Sequence, residues 1–285
     1  MNVDRLTAID VHTHVEQDGH GSFSLDEELL DASAAYFRAG QDRTPTVVAI
    51  AEHYRARDMA AVVFTVDAST GLGHPALSSE EVLDAAARFP DTLIPFGSVD
   101  PHTAGPERIR ELVARGARGF KFHPSLQAFS PDDRAYYPLY EAIAEAGVPA
   151  LFHTGQTGIG AGLPGGRGIR LRLSAPMLLD DVAADFPRLN IVLAHPSVPW
   201  QDEAIAIATH KANVFIDLSG WRPKYFPPQL VRAADTVLRD KVLFGSDFPV
   251  VTPDRWLADF AQLPIRDEVR PLILKDNAVA LLGLS

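Results

Sequence analysis

Two histidines end the first strand-like run of the chain, and an aspartate ends the last. His12 and His14 close the apolar segment 8–14, and Asp247 follows the segment 241–246. Because side chains alternate along a strand, the two histidines lie on one face of it. Neutral imidazole is the commonest metal ligand among side chains, so this pair could hold one cation. Asp247 could join the pair only where the first and last strands meet, as they do in a closed barrel.

Further histidines end other apolar runs. The chain has 10 histidines, and those that fall at the carboxyl ends of predicted strands are His12, His14, His123, His153 and His195. Active sites of α/β barrels are built at this end of the strands. The pattern predicts an active site assembled from strands 1, 4, 5, 6 and 8.

These side chains are carried by eight short apolar runs that alternate with amphipathic segments. We predict strands at 8–14, 60–67, 93–99, 118–123, 149–154, 190–195, 213–218 and 241–246, each apolar enough to be buried on both faces. We predict helices at 78–89, 105–115, 136–146, 176–186 and 227–239, and a final helix from 271 to 282.

The eightfold alternation predicts a (β/α)8 TIM barrel. An open doubly wound sheet is the alternative. The stretch after strand 1 is long, so we expect extra helices near 26–39 and 45–56. One barrel domain should span residues 1–285.

Composition narrows the function classes. The 285 residues are 46% hydrophobic and carry a net charge of −11, which argues against nucleic acid or an anionic membrane as a partner. The absence of cysteine excludes disulfides, thiolate metal sites and a cysteine nucleophile. No apolar stretch resembles a signal peptide or a membrane span. We expect a cytoplasmic enzyme for a small-molecule substrate; a homodimer is left open.

The motifs at these strand ends resemble those of the amidohydrolase superfamily. The similarity lies in Ile-Asp-Val-His-Thr-His at 9–14, Gly-Phe-Lys-Phe-His-Pro at 119–124, and the segments 151–155, 193–196, 243–249 and 277–283. More narrowly, the chain is similar to the amidohydrolase-related group, which contains aminocarboxymuconate semialdehyde decarboxylase, resorcylate decarboxylases and lactone or carbon–carbon bond hydrolases.

The resemblance implies a metal centre and its catalytic groups. His12, His14, His153 and Asp247 would ligate one divalent metal, and His195 would act beside it as general acid/base. Asp247 could also accept a proton from the metal's water. Some decarboxylases of the group carry Glu in place of the first histidine. This chain keeps His12, which favours Zn²⁺, with Mn²⁺ as the alternative.

Lys121 has two interpretations. Binuclear relatives use a carboxylated lysine on strand 4 to bridge two metals. Lys121 lies two residues before His123 on the same predicted strand, so both side chains should point inward. The alternative, which we favour, is that Lys121 pairs with the inward-facing Asp10 and that His123 contacts the substrate.

A glycine-rich loop at 157–172 follows the strand of His153 and carries Arg167, Arg170 and Arg172. It could fold over an anionic substrate, because arginine binds carboxylate or phosphate through two parallel hydrogen bonds. Alternatively, it is a surface loop whose arginines pair with local carboxylates. Trp200 and Trp221 follow strands 6 and 7 and could wall an aromatic or acyl group.

The remaining histidines are assigned lesser roles. We place His74 and His102 at the rim of the barrel mouth and His20, His53 and His210 on the surface.

The leading prediction is a metal-dependent hydrolase. Metal-activated water would attack an acyl, lactone or carbon–carbon bond of a small carboxylate or aromatic-acid-derived substrate, with β-ketoacyl thioesters included. The alternative is a non-oxidative decarboxylase of an aromatic or muconate-type acid, in which His195 protonates carbon. A non-catalytic metal scaffold is disfavoured, because structural zinc sites usually close with four protein ligands that include cysteine.

Overall fold

Eight short parallel strands form the centre of the molecule. The computed structural model describes residues 1–37 and 44–284. The strands are β1 (Ala8–His14), β2 (Met59–Phe64), β3 (Leu93–Pro95), β4 (Phe120–Phe122), β5 (Ala150–His153), β6 (Ile191–Ala194), β7 (Val214–Asp217) and β8 (Val242–Leu243). Their residues are almost all buried, as the continuous apolar runs predicted.

Backbone hydrogen bonds join the strands into a ring. β1 to β3 pair in one parallel sheet and β4 to β8 in another. Lys121 N donates to Gly97 O at 2.8 Å and so connects β4 to the end of β3. At the other gap, Asp247 N donates to His12 O at 3.0 Å and His14 N to Phe248 O at 2.8 Å. The TIM barrel prediction is confirmed, and the junction between first and last strands places Asp247 beside β1.

Helices cover the outer face of the strands. The α-helices in the described residues are α1 (Glu27–Phe37), α2 (Val47–Arg55), α3 (Ser69–Leu72), α4 (Ser79–Ala86), α5 (Pro106–Ala114), α6 (Pro124–Gln127), α7 (Tyr137–Ala146), α8 (Leu178–Asp185), α9 (Gln201–His210), α10 (Pro228–Asp235), α11 (Pro253–Phe260) and α12 (Asn277–Leu282). The two extra helices after β1 are present as predicted. Positions 38 and 39 of the first prediction lie outside the described residues.

Some strands end earlier than the apolar runs predict. β8 stops at Leu243, because the next amide, Phe244 N, donates to Ile273 O at 2.8 Å rather than to a strand. The final helical segment also differs locally, since Leu272–Asp276 forms a π-helical turn before α12. Apolar runs in a sequence indicate which segments are buried. They do not show where the hydrogen-bond partner of a backbone amide changes, so they do not locate the end of a strand.

The core has an outer layer between strands and helices and a cluster inside the barrel. Ile9, Val11 and Phe64 belong to the inner cluster, together with Ala278 and Leu282 of α12. Arg118 Nη2, just before β4, donates to Leu282 O at 2.8 Å. The C-terminal helix therefore covers the end of the barrel where the strands begin, and the histidines lie at the opposite end. Within the described residues, no helix is long and apolar enough to cross a membrane.

Candidate metal centre

His12, His14 and Asp247 bring three potential ligand atoms together. His12 Nε2 lies 3.2 Å from His14 Nε2 and 3.2 Å from Asp247 Oδ1, and His14 Nε2 lies 3.1 Å from the same oxygen. β1 supplies both histidines, and the β8–β1 junction supplies the aspartate. Donors bound to one zinc ion at about 2.0–2.2 Å lie roughly 3–3.5 Å apart. The spacing of these atoms therefore fits a common cation.

The charge states of the group also suit a metal. Burial lowers the pKa of His12 well below its usual value, and the nearby Lys121 lowers it further. Burial alone would raise the pKa of Asp247, but the hydrogen bond from His14 and the adjacent histidines hold it well below its ordinary range. At neutral pH the pair therefore offers a neutral imidazole and an ionised carboxylate, the forms that bind metal.

The end of β7 orients His12. Asp217 Oδ2 lies 2.9 Å from His12 Nδ1, and a carboxylate only accepts hydrogen bonds, so Nδ1–H donates to it. The lone pair of the ring is then on Nε2, the nitrogen that faces His14 and Asp247. Metal-ligating histidines commonly donate their second nitrogen to a carboxylate in this way.

Ser219 connects His12 to His195. Its hydroxyl oxygen lies 3.0 Å from His12 Nδ1 and 2.9 Å from His195 Nδ1. The backbone of this turn is itself fixed, because Ser219 N donates to Asp217 Oδ1 at 2.8 Å. One short segment after β7 thus holds both imidazoles.

His195, His153 and His123 form a second row of buried rings. His195 Nε2 lies 2.9 Å from His153 Nδ1, and the His153 ring stacks on His123 with centroids 3.7 Å apart. Burial lowers the pKa of all three histidines. His153 Nε2 is buried without a hydrogen-bond partner among the described residues. Such an unpartnered nitrogen in a polar site is consistent with a metal ligand.

His195 is also close enough to coordinate. His12, His195 and Asp247 each offer an atom within 4.8 Å of the others. Both His195 and Asp247 have positive φ values, +73° and +67°. For residues other than glycine this conformation costs on the order of 1–3 kcal/mol and clusters at functional sites.

Lys121 does not make the predicted pair with Asp10. The Asp10 carboxylate instead accepts hydrogen bonds from Tyr54 Oη at 2.6 Å, Ser246 N at 2.9 Å and the His12 amide at 3.1 Å. Burial raises the pKa of Asp10 to about 7. Lys121 Nζ lies 3.2 Å from His12 Nε2, and burial lowers its pKa to about 8. The prediction of that ion pair was wrong, because Tyr54 of α2 and Ser246, which follows β8, already donate hydrogen bonds to the Asp10 carboxylate.

A cavity of about 410 Å³ opens onto these side chains. His14, His123, His153, His195 and Asp247 line its floor. The walls come from the connections after β1, β2, β4, β5, β7 and β8 and are largely apolar. They include Leu25, Leu30, Phe37, Leu126, Ile159, Trp221, Tyr225, Val250 and Val251. This volume is within the range of about 300–1,000 Å³ usual for small-molecule sites.

The predicted substrate residues are placed differently. His123 and Trp221 line the cavity, whereas Trp200, Arg167, Arg170 and Arg172 do not. Arg167 Nε donates to Glu28 at 2.6 Å and its Nη2 to Asp26 at 2.7 Å, so local carboxylates hold this guanidinium. The glycine-rich loop therefore does not supply the cationic part of the cavity.

The other histidines lie outside the cavity lining. His74 Nε2 is 3.1 Å from Phe23 O, and His102 Nε2 is 2.8 Å from Gln127 O. His20 and His210 are exposed. His53 is half-buried against Phe248, with ring centroids 4.7 Å apart, rather than fully on the surface.

Sequence reasoning missed Asp217, Ser219 and Arg255. Asp217 ends β7 and Ser219 comes two residues later, so their position at the carboxyl end of a strand was an available signal. Arg255 lies in the first turn of α11 and lines the cavity, and nothing local distinguishes it from other arginines.

The amidohydrolase family model matches residues 9–284. The chain belongs to the amidohydrolase family. Its members use a divalent metal, so the chain is a metal-dependent enzyme of this family, and the cluster of His12, His195 and Asp247 is a candidate for its ligands. No curated protein matches the sequence.

Solved structures share this fold. An uncharacterised TIM-barrel protein from Bordetella bronchiseptica is 23% identical, with a TM-score of 0.77 over 97% of this chain and 98% of that one. A probable 2-pyrone-4,6-dicarboxylic acid hydrolase from Acinetobacter baumannii is 17% identical, with a TM-score of 0.65 over 98% of this chain and 100% of that one. A 5-carboxyvanillate decarboxylase from Novosphingobium aromaticivorans with bound manganese is 15% identical, with a TM-score of 0.63 over 98% of each chain. Proteins that share this fold thus include a probable hydrolase and a decarboxylase.

Proposed function

We propose that this amidohydrolase is a hydrolase of a small carboxylate or aromatic-acid-derived substrate and that it cleaves an acyl, lactone or carbon–carbon bond. The observation that carries the proposal is the convergence of His12 Nε2, His14 Nε2 and Asp247 Oδ1 within 3.1–3.2 Å of one another below an apolar cavity. A set of imidazole and carboxylate donors without cysteine, beside a cavity that water and substrate can enter, is typical of catalytic rather than structural metal sites.

One divalent ion is held, in this proposal, by His12, His14, His153 and Asp247. The unpartnered Nε2 of His153 supports its inclusion. The mixed imidazole and carboxylate set favours zinc, and manganese is the alternative. When bound, the ion would lower the pKa of water towards about 7 and polarise a carbonyl.

Two side chains move protons in the proposed reaction. Both contacts of Asp247 with the histidines use Oδ1, which leaves Oδ2 to accept a proton from the attacking water. His195 lies beside Asp247 and is neutral at pH 7 because burial lowers its pKa. It can take up that proton and deliver it to the leaving group. His123 contacts the substrate from the floor of the cavity and Trp221 from its wall.

Decarboxylation of an aromatic or muconate-type acid is a second candidate. The apolar walls favour decarboxylation, because a bound carboxylate that has lost its water is destabilised. Loss of CO₂ spreads its negative charge over the rest of the substrate. The carbon–carbon bond breaks and its electron pair stays on the substrate carbon. His195, after taking up a proton from solvent, supplies that proton to the carbon.

Product analysis with and without metal tests the proposal. The purified protein is treated with a chelator, reloaded with Zn²⁺ or Mn²⁺, and given aryl esters, lactones and aromatic acids. We expect acid release that chelation abolishes and metal restores. His195→Ala should lose most of the activity, while His20→Ala, an exposed control, should keep it. Metal-dependent CO₂ release without acid release would select the decarboxylase, and metal-independent turnover would refute both.

A further inference from the structure

The cavity wall has an uneven distribution of charge. Among the described residues, two arginines line it, Arg222 and Arg255. Arg222 is occupied, because its Nε and Nη2 donate to the two oxygens of Asp259 at 2.7 and 2.8 Å. Arg255 has no side-chain hydrogen bond or ion pair with any residue in the described ranges 1–37 and 44–284. Its guanidinium is therefore available to a ligand in the cavity.

The backbone that carries Arg255 is well fixed. It lies in the first turn of α11, where Thr252 Oγ1 accepts a hydrogen bond from Arg255 N at 3.4 Å. The next residue, Trp256, is fully buried, and its Nε1 donates to Leu218 O at 3.1 Å. The connection between β8 and α11 also contains Asp247. Arg255 is therefore held on one wall at a set position relative to the floor of the cavity.

The surroundings of Arg255 suit one class of ligand. Val250, Val251 and Trp221 line the same cavity and offer apolar contact. Guanidinium binds a carboxylate through two parallel charged hydrogen bonds, and the exposed Arg255 side chain is accessible to a ligand that enters the cavity. A ligand with an apolar body and a terminal carboxylate would pack against the apolar walls and pair with Arg255 at the same time.

We propose that Arg255 is an anion subsite that binds a carboxylate of the substrate remote from the reacting bond. The substrate class is then an amphipathic acid: its reacting group faces the histidines and Asp247, its apolar body contacts the walls, and its free carboxylate pairs with Arg255. This inference rests on the proposed function and names the substrate class of that site. It replaces the glycine-rich loop as the source of positive charge.

A binding assay tests the subsite without turnover. Trp221 lines the cavity and gives a fluorescence signal. The probes are 4-phenylbutyrate and its uncharged methyl ester, titrated into the metal-loaded and the chelator-treated protein. We expect Arg255→Ala to weaken 4-phenylbutyrate binding about tenfold in both forms, the loss of one charged contact, and to leave ester binding unchanged. Arg255→Lys should retain part of the affinity.

Arg170→Ala is the matched control, because this arginine is exposed and lies outside the cavity lining. It removes the same charge and should leave both affinities unchanged. Equal affinity of wild type and Arg255→Ala for the acid, an equal loss for the ester, or no binding of the acid by the wild type would overturn the subsite. A protein that shows the Arg255-dependent binding but no metal-dependent turnover would instead refute the proposed function alone.

Discussion

Replacing Asp217 by Asn should weaken metal binding although Asp217 is not itself a proposed metal ligand. Asp217 Oδ2 accepts from His12 Nδ1 at 2.9 Å, and Oδ1 accepts from Ser219 N at 2.8 Å. An amide has one oxygen for these two donors, so its NH₂ group must face one of them. If it faces His12, the ring can satisfy it only by moving its proton from Nδ1 to Nε2. Nε2 is the nitrogen that faces His14 and Asp247.

The magnitude follows from the lost contact. A hydrogen bond to a charged group contributes about 1.5–3 kcal/mol, and about 1.4 kcal/mol corresponds to tenfold in an equilibrium constant. Asp217→Asn should therefore raise the Kd for metal by roughly 10- to 100-fold, the range measured for groups that orient metal-ligating histidines. The side chains of His12 and Asp217 are both fully buried, so solvent does not screen the interaction.

Competition with a chelator of known affinity measures this Kd, and circular dichroism confirms that the variant is folded. Asp91→Asn is the control, because Asp91 forms an exposed ion pair with Arg55 at 2.6 Å and is remote from the site in the fold. A folded Asp217→Asn protein with the wild-type Kd would refute the view that this carboxylate sets the tautomer of His12.

Three more predictions concern the same group of side chains. The His153→Ala variant should lose the metal, whereas the His195→Ala variant should retain it and lose about 10²–10⁴-fold in kcat. Metal analysis of both variants checks this. If His195→Ala lost the metal and His153→Ala kept it, His195 would be the ligand and His153 the acid/base. Gly220→Ala should reduce kcat/KM, because a Cβ there would lie 2.6 Å from His195 Nδ1 at a φ of +73°, and steady-state kinetics would show whether the site tolerates it. The metal-free protein should lose stability as the pH falls below about 6.5, since the unfolded chain binds protons that the buried histidines resist. Burial lowers the pKa of His12, His123, His153 and His195. These four groups outnumber the acids Asp10 and Glu16, whose raised pKa values act in the opposite direction. Thermal melts between about pH 5.5 and 7.5 measure this, and a melting temperature that rises on acidification would contradict it.

Two kinds of local pattern predicted the fold. Continuous apolar runs located the strands because both faces of a barrel strand are buried, and helical periodicity located α4, α5, α7 and the two extra helices after β1. The same patterns placed His12, His14, His123, His153 and His195 at strand ends. Strand direction then required these side chains to share one end of the barrel.

Hydrogen-bond partners and charge pairing were decided only by the tertiary structure. The sequence paired Lys121 with Asp10 because strand alternation predicts that both point inward, but α2 and the segment after β8 bring Tyr54 and Ser246 to that carboxylate. Likewise, the glycine-rich loop contains several arginines, yet α1 and the residue before it present Glu28 and Asp26 to Arg167.

Periodicity and strand polarity are short-range properties that each segment carries by itself. Which carboxylate meets which cation depends instead on where connections distant in sequence come to lie. Asp217 of β7 orients His12 of β1, two strands away in the ring, and Arg255 lines the cavity because α11 follows the strand that ends beside β1. The sequence by itself therefore determined the barrel and the end at which its histidines gather. The closed ring of strands decided how those histidines are oriented and which cation faces the cavity.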